Sequence, residues 1–358
     1  MRIRKEDVII IGGGLAGLTT AFILKKQGIN ALVLESSDRL GGRIFTKSRN
    51  NLSFELGATW VFEDKHLRKL INELDLDLVP QYLQGDALIK YDPSMEIQKS
   101  PTKALMGGAV YHKVKGGTGS IIHALVSHLN QDRISLGSKV EQIAYINDQL
   151  EIRLVDGTRL YTKKLVLALP PAVIASQINL TPKLDQHNLM SETHIWMGES
   201  AKFTIFLKED RWKSKRLSGF AFSNYGLIRE IQDHTIGTEK IPGLLGFLNL
   251  SERWLKDEDQ RQQLVVQELQ ELFGISESDV LGYADFLWNE HFIDDKRRNL
   301  NQSLVPHHNN GHPFYQEPHF DGRLFFAGAE TSAKNPGYME GAVLSAYRTA
   351  ELLLADLG

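Results

Sequence analysis

The 358-residue sequence contains no cysteine. This absence excludes disulfide bridges, thiolate metal sites and a cysteine nucleophile. It also excludes a prosthetic group attached through a cysteine thioether, so that any such group is expected to be bound non-covalently. A chain without disulfides fits a reducing compartment, and we expect a cytoplasmic protein.

The sequence also lacks long apolar runs and a strong excess of charge of one sign. No run approaches the ~20 residues that a membrane span requires, and the basic start of the chain leads into only about five apolar residues, which is too short for a signal peptide. The formal net charge of −3 gives no reason to expect nucleic acid as a partner. We therefore expect a soluble protein that binds neither nucleic acid nor membranes, and the sequence leaves its oligomeric state open.

A glycine-rich motif near the start of the chain separates an apolar run from a helix pattern. Val8–Ile11 predicts a strand, three glycines follow, and Leu15–Lys26 predicts a helix. In this G-x-G-x-x-G motif, Gly12 permits the turn, Gly14 lets the backbone approach a diphosphate, and Gly17 lets the helix pack close to the strand. The diphosphate would bind at the helix N-terminus, where Leu15 and Ala16 lie.

An acidic residue follows the next predicted strand. Glu35 comes directly after Ala31–Leu34 and lies roughly 20 residues beyond the motif, as is typical of the acid that binds the adenosine ribose. The pattern predicts a dinucleotide-binding α/β unit and leaves NAD and FAD open.

The residues after Glu35 point to the flavin. Arg39, Gly41, Gly42 and Arg43 complete an E-x-x-x-R-x-G-G-R run, in which a planar guanidinium such as that of Arg43 can hold phosphate oxygens in a bidentate manner. The run resembles the flavin-containing amine oxidase group, which includes monoamine, polyamine and L-amino-acid oxidases. The resemblance implies non-covalent FAD and an α/β fold, in which an FAD-binding, doubly wound Rossmann-like domain of glutathione-reductase type carries an inserted mixed α+β substrate domain.

The end of the chain carries a second signal. Gly322–Thr331 predicts a strand that ends at Gly328, and a helix is expected to begin near Tyr338. A helix N-terminus directed at the pyrimidine edge of a flavin would stabilise negative charge on the reduced ring. The Gly337–Ala342 block resembles the monoamine oxidase fingerprint, which implies that Glu330 contacts the ribityl-diphosphate region and that Tyr338 stands beside the flavin face. Gly328, Met339 and Ala342 are further expected contacts.

Two internal segments extend this resemblance. It places Gly57, Ala58, Thr59 and Trp60 beside the isoalloxazine ring, with Glu55 at the acidic position of the family pattern. Trp60 is equally consistent with a core aromatic at a domain junction. In a predicted β-meander, Val140 would offer backbone atoms to the adenine.

The sequence patterns, together with this resemblance, divide the chain into segments that alternate between two domains. Residues 1–66, 111–192 and 290–358 are predicted to form the FAD-binding domain. Residues 67–110 and 193–289 are predicted to form the substrate domain.

The segment that ends at Lys202 carries the predicted chemistry. Met197–Lys202, with Trp212 after the next strand, resembles the family segment whose lysine holds a water at flavin N5. A lysine on a solvent-facing strand is the alternative, but the apolar neighbours Ala201 and Phe203 favour burial. Lys202 and Tyr338 are therefore the predicted catalytic residues. The predicted reaction oxidises a small-molecule amine to an imine, with oxygen as acceptor and hydrogen peroxide as product.

The sequence departs from the family pattern at one place. Monoamine oxidases frame the substrate amine with two tyrosines, and Tyr338 matches one of them. The other is expected near residues 299–303, where no aromatic residue occurs. Tyr315, His291 and Phe292 are candidate substitutes.

Other functions remain open at this point. A desaturase, dehydrogenase or isomerase of the protoporphyrinogen oxidase and carotenoid desaturase branch is one alternative, although such reactions need no water beside N5. A flavin-bound scaffold without catalysis is another. An amino-acid substrate would require a pocket arginine, for which Arg229, Arg297 and Arg298 are candidates.

Four histidines near the end of the chain raise the question of a metal. The spacing of His307, His308, His312 and His319 matches no standard ligand set. A solvated loop is the simpler interpretation, and no metal site is predicted.

Overall fold

The computed structural model describes residues 3–198, 200–235, 241–249, 257–288 and 305–357. The strands are β1 (Ile3–Ile11), β2 (Leu32–Leu34), β3 (Thr46–Arg49), β4 (Leu52–Glu55), β5 (Trp60–Val61), β6 (Leu78–Pro80), β7 (Asp86–Lys90), β8 (Gln98–Pro101), β9 (His112–Val114), β10 (Ile134–Ser135), β11 (Val140–Ile146), β12 (Gln149–Leu154), β13 (Arg159–Leu167), β14 (Asn179–Thr181), β15 (Ala201–Leu207), β16 (Leu217–Ser223), β17 (Ile228–Asp233), β18 (Gly243–Leu248), β19 (Val280–Leu287) and β20 (Leu324–Phe326). The α-helices are α1 (Leu15–Lys26), α2 (Lys65–Glu73), α3 (Thr102–Leu105), α4 (Gly119–Ser127), α5 (Pro171–Gln177), α6 (His187–Glu192), α7 (Arg211–Ser214), α8 (Glu258–Phe273) and α9 (Met339–Leu357).

The first sheet carries the glycine-rich motif. Its order is β10-β2-β1-β13-β12-β11-β14, and β20 also pairs with β13. The central strands β1 and β13 run parallel from Ile3 opposite Arg159 to Ile11 opposite Leu167. Alternate residues of β1 enter two different cores: Val8 and Ile10 pack with α1 and α9, whereas Ile9 and Ile11 pack on the other face. The parallel part of the sheet is thus covered on both sides, as is typical of α/β proteins.

The second sheet has the order β19-β15-β18-β17-β16-β7-β8. Strand β15, which lies between β19 and β18, is buried along its whole length. Phe203 and Ile205 pack into the same core as the apolar residues of α8. Phe206 instead packs with Phe54 of β4, so the intervening positions of β15, Lys202 among them, face the opposite side of the sheet.

Most predicted elements are present, and one is corrected. The predicted helix from Leu15 to Lys26 is α1, and α8 begins after Asp257, whose side chain accepts a hydrogen bond from the Gln260 amide. The alternating run Arg159–Tyr161 and the apolar run Lys164–Leu169 predict two separate strands, but in the structure the single strand β13 runs from Arg159 to Leu167. The polar residue Thr162 fits within this strand because its hydroxyl donates a hydrogen bond to the Asp7 carbonyl oxygen.

The two sheets draw on different parts of the chain. The strands of the second sheet lie within residues 86–101 and 201–287. This arrangement supports the domain division expected from the sequence, which we retain as a proposal. Over the described ranges, no helix combines the length and the apolar character needed to cross a bilayer.

Candidate active site

A cavity of about 610 Å³ lies where the two sheets meet. Most of the site residues predicted from the sequence line it, namely Gly12, Gly14, Leu15, Ala16, Glu35, Gly41, Gly42, Arg43, Gly57, Ala58, Thr59, Trp60, Lys202, Gly328, Glu330, Tyr338, Met339 and Ala342. The cavity therefore joins segments from both ends of the chain to the substrate-domain strands.

The glycine-rich end of the cavity fits a diphosphate. A Cβ on Gly17 would lie 2.0 Å from the Gly12 carbonyl oxygen, so only glycine lets α1 pack this closely. Gly14 is the N-cap of α1 and provides no side-chain cap, and a Cβ built there would meet nothing closer than 3.9 Å. Because the first N–H groups of a helix lack partners within it, this open N-terminus provides donors for phosphate oxygens.

Glu35 lies beside this helix terminus with its carboxylate fixed by the backbone. Its Oε2 accepts from the Gly13 amide at 2.7 Å, and its Oε1 accepts from the Ser37 amide at 2.9 Å. Oε1 also accepts from the Ser37 hydroxyl at 3.0 Å, whereas Oε2 retains capacity for another donor. A ribose hydroxyl group is a suitable donor, so the geometry fits the predicted adenosine contact.

Arg43 and Glu330 connect the two sequence fingerprints. The guanidinium donates from Nη1 to Glu330 Oε1 at 2.5 Å and from Nη2 to Oε2 at 2.8 Å, and Nη1 also donates to the Trp196 carbonyl at 3.0 Å. The carboxylate of Glu330 is fully buried. In this structure Arg43 is therefore the counter-ion of a buried acid, and its direct contact with phosphate stays a prediction.

Three predicted residues lie off the cavity wall in the described part of the chain. Gly17 acts through helix packing, as expected. Arg39 donates to the carbonyls of Gly42 and Ile44, at 3.0 and 3.3 Å, and its guanidinium lies 4.3 Å from the centre of the Phe45 ring. Val140 is paired with β12. Arg39 thus braces the loop that carries Gly41 and Gly42, and cofactor contacts by Arg39 and Val140 stay predictions.

The C-terminal helix also presents its N-terminus to the cavity. Met339 and Ala342 lie on the wall, at the first turn of α9. Glu340, between them, turns away and accepts hydrogen bonds from the Leu67 amide at 2.7 Å and the His66 amide at 3.1 Å. The acid in the fingerprint therefore caps α2, a role that the local sequence does not reveal. The free N–H groups of α9 fit an electron-rich ring edge.

Lys202 is buried on the cavity wall. Its side chain is 2% exposed, and Nζ donates to the Gly57 carbonyl at 2.6 Å and to the Thr59 hydroxyl oxygen. Nζ also lies 5.1 Å from the centre of the Trp60 ring. Burial lowers the pKa of Lys202 to about 8, and the charges of Glu55 and Glu230 oppose this effect. The expected burial of Lys202 is confirmed.

Glu55 anchors the segment next to Lys202. Its carboxylate is fully buried and accepts from the Thr118 amide at 2.6 Å, the Thr118 hydroxyl at 3.0 Å and the Thr46 hydroxyl at 2.7 Å. Burial raises the pKa of Glu55, and the charge of Lys202 partly offsets that rise. Glu55 therefore connects β4 to the residue that follows the Gly116–Gly117 turn, and this connection supports the cavity wall.

Trp60 faces the cavity, which answers the question left open by the sequence. Its Nε1 donates to Gln81 Oε1 at 3.2 Å, and its ring meets Tyr111 edge-on with the ring centres 6.3 Å apart. Tyr111 and Phe247 also line the cavity. Sequence reasoning missed both, because neither belongs to a motif and their position depends on strand pairing.

Tyr338 lies in an aromatic group at the cavity wall. Its ring centre is 5.7 Å from those of Trp196 and His307. Tyr315, a candidate for the second tyrosine, is instead in the protein core, where its hydroxyl bonds Thr193 at 2.6 Å and its ring packs on Phe326. Residues 299–303, His291, Phe292, Arg297 and Arg298 lie outside the described residues, and Arg229 is exposed and off the wall.

The histidines of the C-terminal segment serve separate local contacts. His307 stacks on Trp196 with ring centres 4.2 Å apart, His312 Nδ1 accepts from the Phe314 amide, and His319 packs on Phe314. Within the described ranges, no three potential ligands from His, Cys, Asp and Glu come together.

Comparison with known proteins gives a consistent result. A family model described as flavin-containing amine oxidoreductase matches residues 15–92 and 86–354. The probable flavin-containing monoamine oxidase A of Dictyostelium discoideum is 22% identical in an alignment of 447 positions that covers 96% of this chain and 96% of that protein. Cyclohexylamine oxidase from Brevibacterium oxydans IH-35A has a TM-score of 0.82 at 19% identity, covering 98% of this chain and 99% of its own. A putrescine oxidase triple mutant has a TM-score of 0.79 at 18% identity, covering 99% of this chain and 100% of its own.

Proposed function

Because this chain belongs to the flavin-containing amine oxidoreductase family, we propose that it oxidises a small-molecule amine with oxygen as the electron acceptor. The observation that carries the proposal is the buried Lys202, held on the cavity wall between the two fingerprints that fit FAD. A bound FAD would supply the redox chemistry, namely acceptance of a hydride from the carbon next to the amine nitrogen and return of two electrons to oxygen, so that the products would be an imine and hydrogen peroxide.

The FAD would be held by groups at both ends of the cavity. The α1 N-terminus at Gly14 would hold the diphosphate, Glu35 would bind the ribose, and the α9 N-terminus would face the flavin. The chain has no cysteine, which supports non-covalent binding.

The aromatic wall would keep the reacting amine uncharged. Trp60, Tyr111 and Tyr338 surround the cavity, and a water-poor environment disfavours an ammonium relative to the neutral amine. Only the neutral nitrogen has the lone pair that stabilises the forming iminium. The ammonium of Lys202, on the same wall, adds repulsion against a second positive charge.

Lys202 would serve the oxygen step. Its hydrogen bonds to the Gly57 carbonyl and the Thr59 hydroxyl fix Nζ in place. A fixed ammonium in a low-dielectric site stabilises negative charge that develops nearby, without reorganisation of solvent. This assignment favours an oxidase over a desaturase or dehydrogenase, which has no such requirement.

The test is a two-stage spectral experiment on the purified FAD-bound protein. Under nitrogen, it is mixed with a panel of alkylamines, diamines and amino acids, and loss of the visible flavin absorbance is followed. Air is then admitted, and absorbance and peroxide are measured. We expect bleaching by amines and rapid recovery with one peroxide per flavin. Bleaching by no amine would refute the proposal, and bleaching with slow recovery would refute oxygen as the acceptor.

A further inference from the structure

Three residues of the second sheet form a row across adjacent strands. Lys202 of β15 lies directly opposite Phe247 of β18, and Phe247 lies directly opposite Glu230 of β17. All three line the cavity. Since neighbouring strands are about 4.8 Å apart, the backbones of Lys202 and Glu230 are about 10 Å apart. A cation and an anion thus stand at two ends of one wall, with an aromatic ring between them.

The carboxylate of Glu230 is held by a hydrogen-bonded chain. The Tyr111 hydroxyl donates to Gln232 Oε1 at 2.9 Å, and Gln232 Nε2 donates to Glu230 Oε1 at 2.7 Å. Tyr111 and Gln232 are 2% and 5% exposed, so this support is buried. The arrangement fixes one carboxylate oxygen and leaves the other available to a ligand.

Glu230 forms no direct ion pair with a cationic side chain of the described residues, although its charge acts at longer range on Lys202. No Lys, Arg or His nitrogen in those ranges forms an ion pair with it. Its charge nevertheless acts inside the cavity: burial raises the pKa of Tyr111, and the negative charge of Glu230 raises it further. A carboxylate that faces an aromatic cavity and has no cation bonded directly to it favours a ligand that brings positive charge.

We propose that the substrate carries a second cationic group and that Glu230 binds it. This inference rests on the proposed amine oxidation and narrows its substrate class to diamines and similar dibasic amines. The ammonium of Lys202 favours a neutral nitrogen at the reacting end, whereas Glu230 favours an ammonium at the other end. The two charges therefore orient the substrate, and its methylene chain packs along Trp60 and Phe247.

The same charge argues against an amino-acid substrate. A substrate carboxylate in this cavity would be repelled by Glu230. Arg229, the neighbouring candidate for binding such a group, is exposed and off the cavity wall. The candidates Arg297 and Arg298 are not among the described residues.

The test compares 1-aminobutane with 1,4-diaminobutane, which differ by the second amino group. The second-order rate constant of anaerobic flavin reduction is measured for the wild type, Glu230→Gln and Glu230→Asp. Glu209→Gln, which changes an exposed carboxylate, is the matched control. Since a hydrogen bond to a charged group contributes about 1.5–3 kcal/mol, the wild type should prefer the diamine by roughly 10- to 150-fold.

Glu230→Gln should remove this preference by slowing the diamine reaction at least tenfold more than the 1-aminobutane reaction. Glu230→Asp keeps the charge on a shorter side chain. Among diamines of three to six carbons, the one with the highest rate constant of flavin reduction should therefore be longer for this variant than for the wild type. Equilibrium dialysis with butylguanidine, a permanent cation, gives a readout independent of turnover. Its affinity should fall at least tenfold in Glu230→Gln and be unchanged in Glu209→Gln.

Equal reactivity of mono- and diamine in the wild type would overturn the inference while leaving amine oxidation intact. An equal loss of both reactions in a folded, FAD-loaded Glu230→Gln protein would also overturn it, because that result indicates a general structural role. Failure of every amine to reduce the flavin would refute the proposed function itself and the substrate class with it.

Discussion

Burial of ionisable groups gives individual residues of this site their chemistry. Lys202 and Glu55 are both fully buried, and desolvation favours the neutral form of each. It therefore lowers the pKa of Lys202 and raises the pKa of Glu55. Their mutual attraction opposes both shifts. Hydrogen bonds hold both side chains in place. Lys202 donates to the Gly57 carbonyl and the Thr59 hydroxyl oxygen, and Glu55 accepts from the Thr118 amide and the Thr46 hydroxyl. The site thus keeps two ionisable groups away from water, and one of them is the lysine that we propose assists oxygen reduction.

The lowered pKa of Lys202 predicts a pH dependence of stability. The folded-state pKa of about 8 lies below the ordinary lysine value of 10.5, so between these values the unfolded chain binds more protons than the folded one. The free energy of unfolding should therefore gain up to about 1.4 kcal/mol per pH unit from this group as the pH rises through that window.

Denaturant unfolding from pH 7 to 10 measures this contribution as the difference between the wild type and Lys202→Met. The difference should change with pH in favour of the wild type above pH 8. Lys208→Met, which changes an exposed lysine at the end of the same strand, should show a flat difference. A flat difference for Lys202→Met as well would contradict the shifted pKa.

At the scale of elements, two glycines of one motif have separable roles. Gly17 lets α1 pack on the Gly12 turn, because a Cβ there would meet the Gly12 carbonyl oxygen at 2.0 Å. Gly14 leaves space open on the cavity side, because its Cβ would meet no protein atom closer than 3.9 Å. One glycine supports the fold and the other supports cofactor access.

Alanine substitutions should distinguish these roles. Gly17→Ala forces α1 away from β1 and should lower the free energy of unfolding of the FAD-free protein by roughly 2 kcal/mol or more. Gly14→Ala should leave that free energy within about 0.5 kcal/mol of the wild type yet weaken FAD binding at least tenfold. Urea unfolding and FAD titration by fluorescence quenching measure the two effects. Loss of stability in both variants to the same extent would contradict the assignment.

The elements that could be predicted from the sequence are those whose chemistry is local. The glycine motif, Glu35 and the α9 start each occupy a short segment, so backbone geometry and motif coincide there. The burial of Lys202 followed from its apolar neighbours. Residues fixed by strand pairing could not be predicted: Glu230 and Phe247 reach Lys202 only through the registers of β17, β18 and β15.

The partners of charged side chains were equally inaccessible to sequence reasoning. Arg39 and Arg43 look equivalent in the E-x-x-x-R-x-G-G-R run, yet Arg39 bonds backbone carbonyls and Arg43 pairs with Glu330 across 287 positions. Glu340 belongs to the flavin fingerprint but caps α2. Such roles depend on which distant segment packs nearby, and a motif carries no such information.

At the scale of the whole molecule, the cofactor site joins the two ends of the chain. Gly14 and Glu35 come from the first elements, Met339 and Ala342 from the last, and Arg43–Glu330 links the two regions. A ligand in this cavity contacts both regions at once. Cofactor binding should therefore stabilise the molecule as a unit.

The FAD-free protein should accordingly gain stability from FAD, and above the Kd the gain should rise with the logarithm of the free FAD concentration. At a free FAD concentration 100 times the Kd, linkage predicts about 2.7 kcal/mol of added unfolding free energy. Urea unfolding with increasing FAD measures it, and NAD at equal concentrations is the control. Equal stabilisation by NAD would contradict the assignment of a flavin-specific site.

The most direct test of the account is the rate of flavin reoxidation in Lys202→Met. Stopped-flow absorbance measures reduction by 1,4-diaminobutane under nitrogen and, separately, reoxidation by dissolved oxygen, with Lys208→Met as the matched control. We predict that Lys202→Met slows reoxidation at least tenfold while changing reduction by less than threefold, and that Lys208→Met changes neither. Unchanged reoxidation in a folded, FAD-loaded Lys202→Met protein would contradict the proposed role of the buried lysine in an amine oxidase.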